Sequence, residues 1–342
     1  VTEPAAVVLE LFTNRFMAVA REMGEMLRRT AVSTNVKERL DFSCAVLDAE
    51  GSLVVNAPHI PVHLGSLGLC VRRVVEALPL GEGDVAVTNH PAFGGSHLPD
   101  VTVITPVLQN GNLLGFVASR AHHAELGGVR PGSMPPAART LAEEGVVIPP
   151  SYLVREGAPR WQQIRERLAA PPWPSRAVEE NIADLKAAVA ANAYGTAALT
   201  ALAEAHGESA VRQAMAGLRR LAAGHMRDAL LRLGDGRFAA REELDDGAPL
   251  AVELRLAEGR AVIDFTGSSG VHPGNLNATP AVVRSAVLYV LRLLVAEPLP
   301  LNEGLLDPIR LEIPPGVLAP PFPADPAACP AVVGGNVETS QR

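Results

Sequence analysis

The sequence predicts an α+β protein, and three observations carry that class. Asn110-Gly111 sits between two alternating, β-rich runs, Val101–Leu108 and Leu113–Arg120, which is a strong hairpin signal. Residues 178–233 are rich in Ala and Leu at helical spacing. Beyond Gly234 short alternating runs return. The order divides the chain into a hairpin-rich N-terminal α+β domain (1–150), a mainly helical lobe (151–235) and a C-terminal α+β portion (236–342).

Composition narrows the function class. With 342 residues, 48% hydrophobic and 20% charged, the chain can bury a sizeable core. Its net charge of −7 and dispersed arginines give no basic footprint for nucleic acid. Cys44, Cys70 and Cys329 are widely spaced and odd in number, which indicates neither a disulfide framework nor a zinc knuckle and fits a reducing cytoplasm. No uncharged apolar run reaches the roughly 18 residues of a membrane span, and no export signal is present.

Taken in order, residues 4–32 place Val7, Val8, Leu11, Phe12, Phe16, Val19, Ala20, Met23, Met26 and Leu27 three and four apart, predicting an amphipathic helix. A polar connection follows, then a hairpin of Phe42–Leu47 with Ser52–Asn56 around Asp48-Ala49-Glu50-Gly51. His59 and His63 lie four apart, but Pro61 between them predicts an extended or turning segment rather than a helix face. They are candidates to line an active site as acid/base groups or to serve as structural hydrogen-bonders. Leu67–Leu78 reads as a helix ended by Pro79, and Asp84–Thr88 as a strand. Gly94-Gly95 permits a tight turn or a close backbone approach to a ligand.

The Asn-Gly hairpin is the centre of the chemistry. With Asn110-Gly111 as the turn, Asp100 faces Ala121 and Pro99 faces His122, so His97, Asp100 and His122 share one open end. Two imidazoles and a carboxylate there suit a divalent metal, with donors at about 2.0–2.2 Å. The competing reading is a structural pair at His122-His123 with one ring buried.

Ala137–Glu144 is predicted helical, Gly145–Pro150 extended and 151–176 irregular. Val178–Tyr194, Thr196–His206 and Ser209–Leu233 are helices with breaks at Gly195, Gly207 and Gly234. Ala251–Leu256 and Ala261–Phe265 form a further hairpin, followed by a helix over Pro280–Val295 and a strand within Leu305–Ile313. The glycine-rich loop at 267–277 lacks the GKS/GKT ending of a phosphate loop and the GxGxxG of a dinucleotide fold, so no ATP site is expected in this chain.

The wording GGSHLPDVTVITPV followed by SRAHHAELGGVRPGSMPP resembles the B-type subunit of the hydantoinase/5-oxoprolinase family, whose relatives include the acetone carboxylase α subunit. The likeness extends to Asn35-Val36-Lys37-Glu38-Arg39-Leu40-Asp41-Phe42-Ser43, Pro58-His59-Ile60-Pro61-Val62-His63-Leu64-Gly65, Glu144–Pro150 and Gly335-Asn336-Val337-Glu338-Thr339-Ser340-Gln341-Arg342. His90 and Ala92 depart from it, where the family has an acid and an aromatic residue.

The resemblance implies an ATP-dependent cyclic-amide hydrolase. An A-type partner subunit in a hetero-oligomer uses the ATP to phosphorylate the substrate carbonyl, and this chain opens the ring. It implies a divalent metal (Mn, Zn or Fe) on His97, Asp100 and His122, with His123, His59 and His63 as acid/base or supporting groups. It makes Arg39, Asp41, Gly95, Asn275 and Asn277 candidates for substrate contact. Carboxylation of a ketone, as in acetone carboxylase, and a non-catalytic scaffold are the alternatives. Because the chain starts at Val1 and stops inside the last motif, a fragment or processed subunit is expected.

Overall fold

A computed structural model describes residues 5–56, 60–63, 65–297 and 299–342. Its strands are β1 (Phe42–Asp48), β2 (Leu53–Asn56), β3 (Val85–Thr88), β4 (Asp100–Gln109), β5 (Asn112–His122), β6 (Ser151–Arg155), β7 (Ala158–Pro159), β8 (Gly236–Glu243), β9 (Pro249–Ala257), β10 (Arg260–Asp264) and β11 (Ile309–Glu312). Its α-helices are α1 (Ala5–Thr30), α2 (Thr34–Lys37), α3 (Leu67–Ala77), α4 (Leu141–Glu144), α5 (Trp161–Leu168), α6 (Val178–His206), α7 (Glu208–Leu233), α8 (Pro280–Arg292) and α9 (Val333–Thr339). The α+β class holds.

The first seven strands form one antiparallel sheet in the order β2-β1-β5-β4-β3-β6-β7. Alternation sorts its side chains. Phe42, Cys44 and Val46 of β1, with Val101, Val103 and Val117, share a core with α1, α6 and part of α7. Ala45, Leu47, Ile104, Phe116 and Ala118 face α3 through Leu67, Cys70, Val71 and Val74.

Helix α1 follows the predicted stripe from Phe12 onward. Phe16, Met23 and Leu27 are fully buried, each worth about 1.5–3 kcal/mol. Val7, Val8 and Leu11, predicted on the same face, are exposed.

Three expectations are corrected. The boundary at 150 cuts through a sheet, because β6 and β7, predicted irregular, extend it beyond β3. The helices of 151–235 are not a separate lobe, since α6 and α7 pack with α1 over the sheet. Helix α6 also runs unbroken through Gly195, where an added Cβ would come within 2.4 Å of Met23 Sδ. That glycine serves close packing rather than a stop.

The C-terminal portion builds a second sheet, β11-β10-β9-β8, whose inner face shares a core with the end of α7 and with α8. Strand β11 runs parallel to β10; β8 was not anticipated. Glu303 braces the two parts. It accepts from Arg72 at 2.6 and 3.0 Å, from Arg284 at 2.8 Å and from the Leu53 N–H at 3.2 Å.

Candidate active site

The β4–β5 register is one residue away from the alternation count. Leu108 pairs with Leu113 but Val107 pairs with Gly115, so Leu114 is an extra residue on β5. From there Asp100 lies directly opposite His122 rather than Ala121, and directly paired residues share a face. This bulge puts the carboxylate and the imidazole together on the α3 side.

Asp100 is the hub. Its Oδ2 lies 3.1 Å from His97 Nδ1 and accepts a very short hydrogen bond from Ser96 Oγ. Its Oδ1 stands 3.3 Å from His63 Nε2, yet that oxygen is buried and accepts no hydrogen bond among the described residues. Burial opposes its ionisation, but His97 and His63 outweigh burial and hold the carboxyl well below the usual range. Burial likewise works against a charged His97, and attraction to Asp100 overcomes it, raising its affinity for a proton.

The surrounding rings are individually braced. His63 is held by Ser43 Oγ at 3.0 Å from Nδ1, and His122 by Asn35 Nδ2 at 3.0 Å from Nδ1. The His97 and His122 ring centres are 5.1 Å apart. Burial lowers the pKa of His122. Asn336, on α9, brings Nδ2 to 3.3 Å from His97 Nδ1, while its own Oδ1 is buried without a partner among the described residues.

A buried cation stiffens the same face. Arg120 donates to Thr102 Oγ1 at 2.8 Å, Ser66 Oγ at 2.5 Å and Gly94 O at 2.9 Å. Ser66 in turn donates to the His63 carbonyl at 2.9 Å. Glu144 closes the cluster from behind, where Oε1 accepts the Val332 and Val333 N–H groups at 2.7 Å each. Burial pushes its carboxyl up to about 7.

The predicted residues divide accordingly. His63, His97, Asp100 and His122 come together, and Asp41 joins their rim: its carbonyl accepts the His122 N–H at 2.9 Å and its charge acts on both His97 and His122. His123 turns to the helical side and bonds Asn181 Oδ1 through Nδ1 at 2.8 Å, so it stands apart from the cluster. Arg39 is exposed. Gly95 donates its N–H to His90 O and accepts from Thr279 Oγ1 at 3.0 Å, which commits its backbone to the fold. Asn277 is used up by His272, Gly274 and Ala331 backbone groups, and Asn275 Nδ2 donates to Pro135 O at 3.2 Å. His59 lies outside the described residues.

Ser43, Ser96, Asn35, Asn336, Arg120 and Glu144 join the site without being candidates for it in the sequence, although Asn35, Ser43, Glu144 and Asn336 lie in motifs that carry the family resemblance. His90, one of the two departures from the family wording, packs edge-on against Phe93 and Phe322, with ring centres 5.6 and 6.0 Å away.

Among the described residues, no three His, Cys, Asp or Glu side chains form a group ready to hold a cation. The donor chemistry nonetheless suits one. His97 and His122 make their hydrogen bonds among the described residues through Nδ1, and Asp100 Oδ1, 3.3 Å from His63 Nε2, is a buried anionic oxygen that accepts no hydrogen bond there.

The family model described as hydantoinase B/oxoprolinase matches residues 5–342. The chain belongs to the hydantoinase B/oxoprolinase family. It is 44% identical over 351 residues to the 5-oxoprolinase of Saccharomyces cerevisiae, covering 98% of this chain and 27% of that one. It thus spans about a quarter of the length of these curated relatives. Among solved structures, the ATP-dependent caprolactamase from Pseudomonas jessenii superposes with a TM-score of 0.86 at 26% identity, over 99% of this chain and 61% of that chain. An acetone carboxylase in its nucleotide-free form shares the fold, with a TM-score of 0.83 at 17% identity over 97% of this chain and 46% of that one. Within the family's chain the described helices include none long and apolar enough to cross a membrane.

Proposed function

We propose that this chain is the ring-opening part of an ATP-dependent cyclic-amide hydrolase that works with an A-type, ATP-using partner in the cytoplasm. The observation that carries the reading is the Asp100 hub: a buried carboxylate held ionised, three imidazoles around it and one oxygen that accepts no hydrogen bond among the described residues. Burial without full pairing is costly, so such an atom points to a ligand.

In this reading the partner uses ATP to activate the lactam or hydantoin carbonyl, and the ring opens here by addition of water. His97, Asp100 and His122 are the residues that would hold a divalent ion, Mn, Zn or Fe. Such an ion would supply Lewis-acid polarisation. His63, fixed by Ser43, stands beside Asp100 as the group able to take or return a proton at Nε2. Asp41 at the rim would orient a substrate N–H. The 44% identity to a 5-oxoprolinase, against 17% to acetone carboxylase, favours ring opening over ketone carboxylation.

The test pairs metal content with turnover. Wild type is expected to bind close to one Mn or Zn per chain and to support ATP-dependent opening of 5-oxoproline, a hydantoin or caprolactam once reconstituted with its partner. Asp100→Asn, His97→Ala and His122→Ala should each lose both properties. Full ring opening by Asp100→Asn would sink the assignment.

A further inference from the structure

We infer that Asn336 is a further catalytic residue, the group that holds the water molecule whose addition opens the ring; the inference rests on the ring-opening reading given above. Its side chain is buried, on α9. The amide is gripped at one end, where Nδ2 lies 3.3 Å from His97 Nδ1. At the other end Oδ1 accepts no hydrogen bond among the described residues. A carbonyl oxygen buried in that state is destabilising unless a ligand supplies the missing donor.

Four hydrogen bonds and one glycine seat this amide. Glu144 Oε1 accepts the N–H groups of Val332 and Val333 at 2.7 Å each, and Asn277 Nδ2 donates to Ala331 O at 3.0 Å. The Gly335 N–H donates to Asn275 O at 2.8 Å. A Cβ added at Gly335 would come within 2.3 Å of the Leu276 and Asn277 carbonyl oxygens, so only glycine lets the segment approach that loop. Asn275 and Asn277, expected to contact substrate, thus act one step removed, by holding the segment that carries Asn336. An amide fixed from so many sides is preorganised for a ligand.

The chemistry of the atom selects the ligand. Amide Oδ1 can only accept, so its partner must donate. Asp100 is already assigned to the divalent ion and Asp41 to a ring N–H. Water is the donor common to every ring the site would open, whatever its substituents. Bound through one O–H to Oδ1, it is held in a fixed orientation toward the activated carbon.

The test uses the chain reconstituted with its A-type partner at saturating Mn, on whichever of 5-oxoproline, a hydantoin or caprolactam wild type opens. Asn336→Leu keeps the approximate shape without an acceptor, so kcat should fall on the order of 10²-fold, with KM and metal content near those of wild type. Asn336→Asp keeps an acceptor oxygen and loses the N–H that faces His97, and its kcat should stay within about tenfold of wild type. Circular dichroism and thermal unfolding check that both variants are folded, and Asn336→Ala replaces the Leu variant if that one is not. Wild-type kcat without the acceptor, an equal loss in the Asp variant, or a loss confined to KM or to metal content would each overturn the inference. A wild type that opens no ring, or full turnover by Asp100→Asn, would instead bring down the reading on which it rests, with no change made at Asn336.

Discussion

Asp100 and Glu303 are both buried carboxylates ionised against the opposing effect of burial, and their surroundings differ in two respects. Glu303 faces Arg72 and Arg284, permanent cations, and both of its oxygens are hydrogen-bonded. Asp100 faces imidazoles, which can gain or lose a proton near neutrality, and one of its oxygens has no hydrogen bond. A fully paired buried charge fastens parts of a structure together. One left partly unpaired among titratable rings is prepared for chemistry.

The largest expected effect separates the two sites directly. Asp100→Asn should lower ring-opening kcat by about 10²–10⁴-fold even in protein that is fully folded at the assay temperature. Glu303→Ala should do the reverse. Two arginines lose their shared partner, so unfolding in denaturant should show a loss of about 3 kcal/mol, with turnover at low temperature retained. If Glu303→Ala abolished turnover in folded protein, the distinction would collapse.

Glu144 sharpens the comparison as a third buried carboxyl, with one oxygen bonded twice and Oε2 unpaired among the described residues. Its folded pKa is raised from 4.5 to about 7, so the folded state binds its proton more tightly than the unfolded chain. The stability it contributes is therefore complete below about pH 4.5 and lost as pH rises through 7, a change of roughly 3 kcal/mol. Glu144→Gln should flatten that part of the stability profile, as urea unfolding between pH 5 and 8 would reveal.

The smallest effect concerns support. Ser43→Ala frees His63 Nδ1 and should reduce kcat about tenfold with little change in KM. A change in KM alone would instead assign Ser43 to substrate binding.

Much of the site was legible because its central pair is local. Asn110-Gly111 announces the hairpin, and the hairpin brings Asp100 and His122 to one end whichever register is used. The bulge at Leu114 was not legible, since consecutive Leu113 and Leu114 read equally well as a strand with either phase. Ser43, Asn35 and Asn336 look like ordinary polar residues until topology sets β1 beside β5 and returns α9 to His97. Gly195 shows the same limit for the fold, because a glycine that ends a helix and one that lets two elements touch are identical in sequence.

The contact between Asn336 and His97 spans 239 residues of chain, and within that span Glu144 reaches across 188 to Val332. Closing loops of that length comes late in folding, because the entropy lost is recovered only after the intervening elements have packed. During synthesis, therefore, both sheets can form while His97 still lacks its last neighbour. The cluster around Asp100 is therefore among the last parts of the fold to be completed, once nearly all of this sequence has left the ribosome.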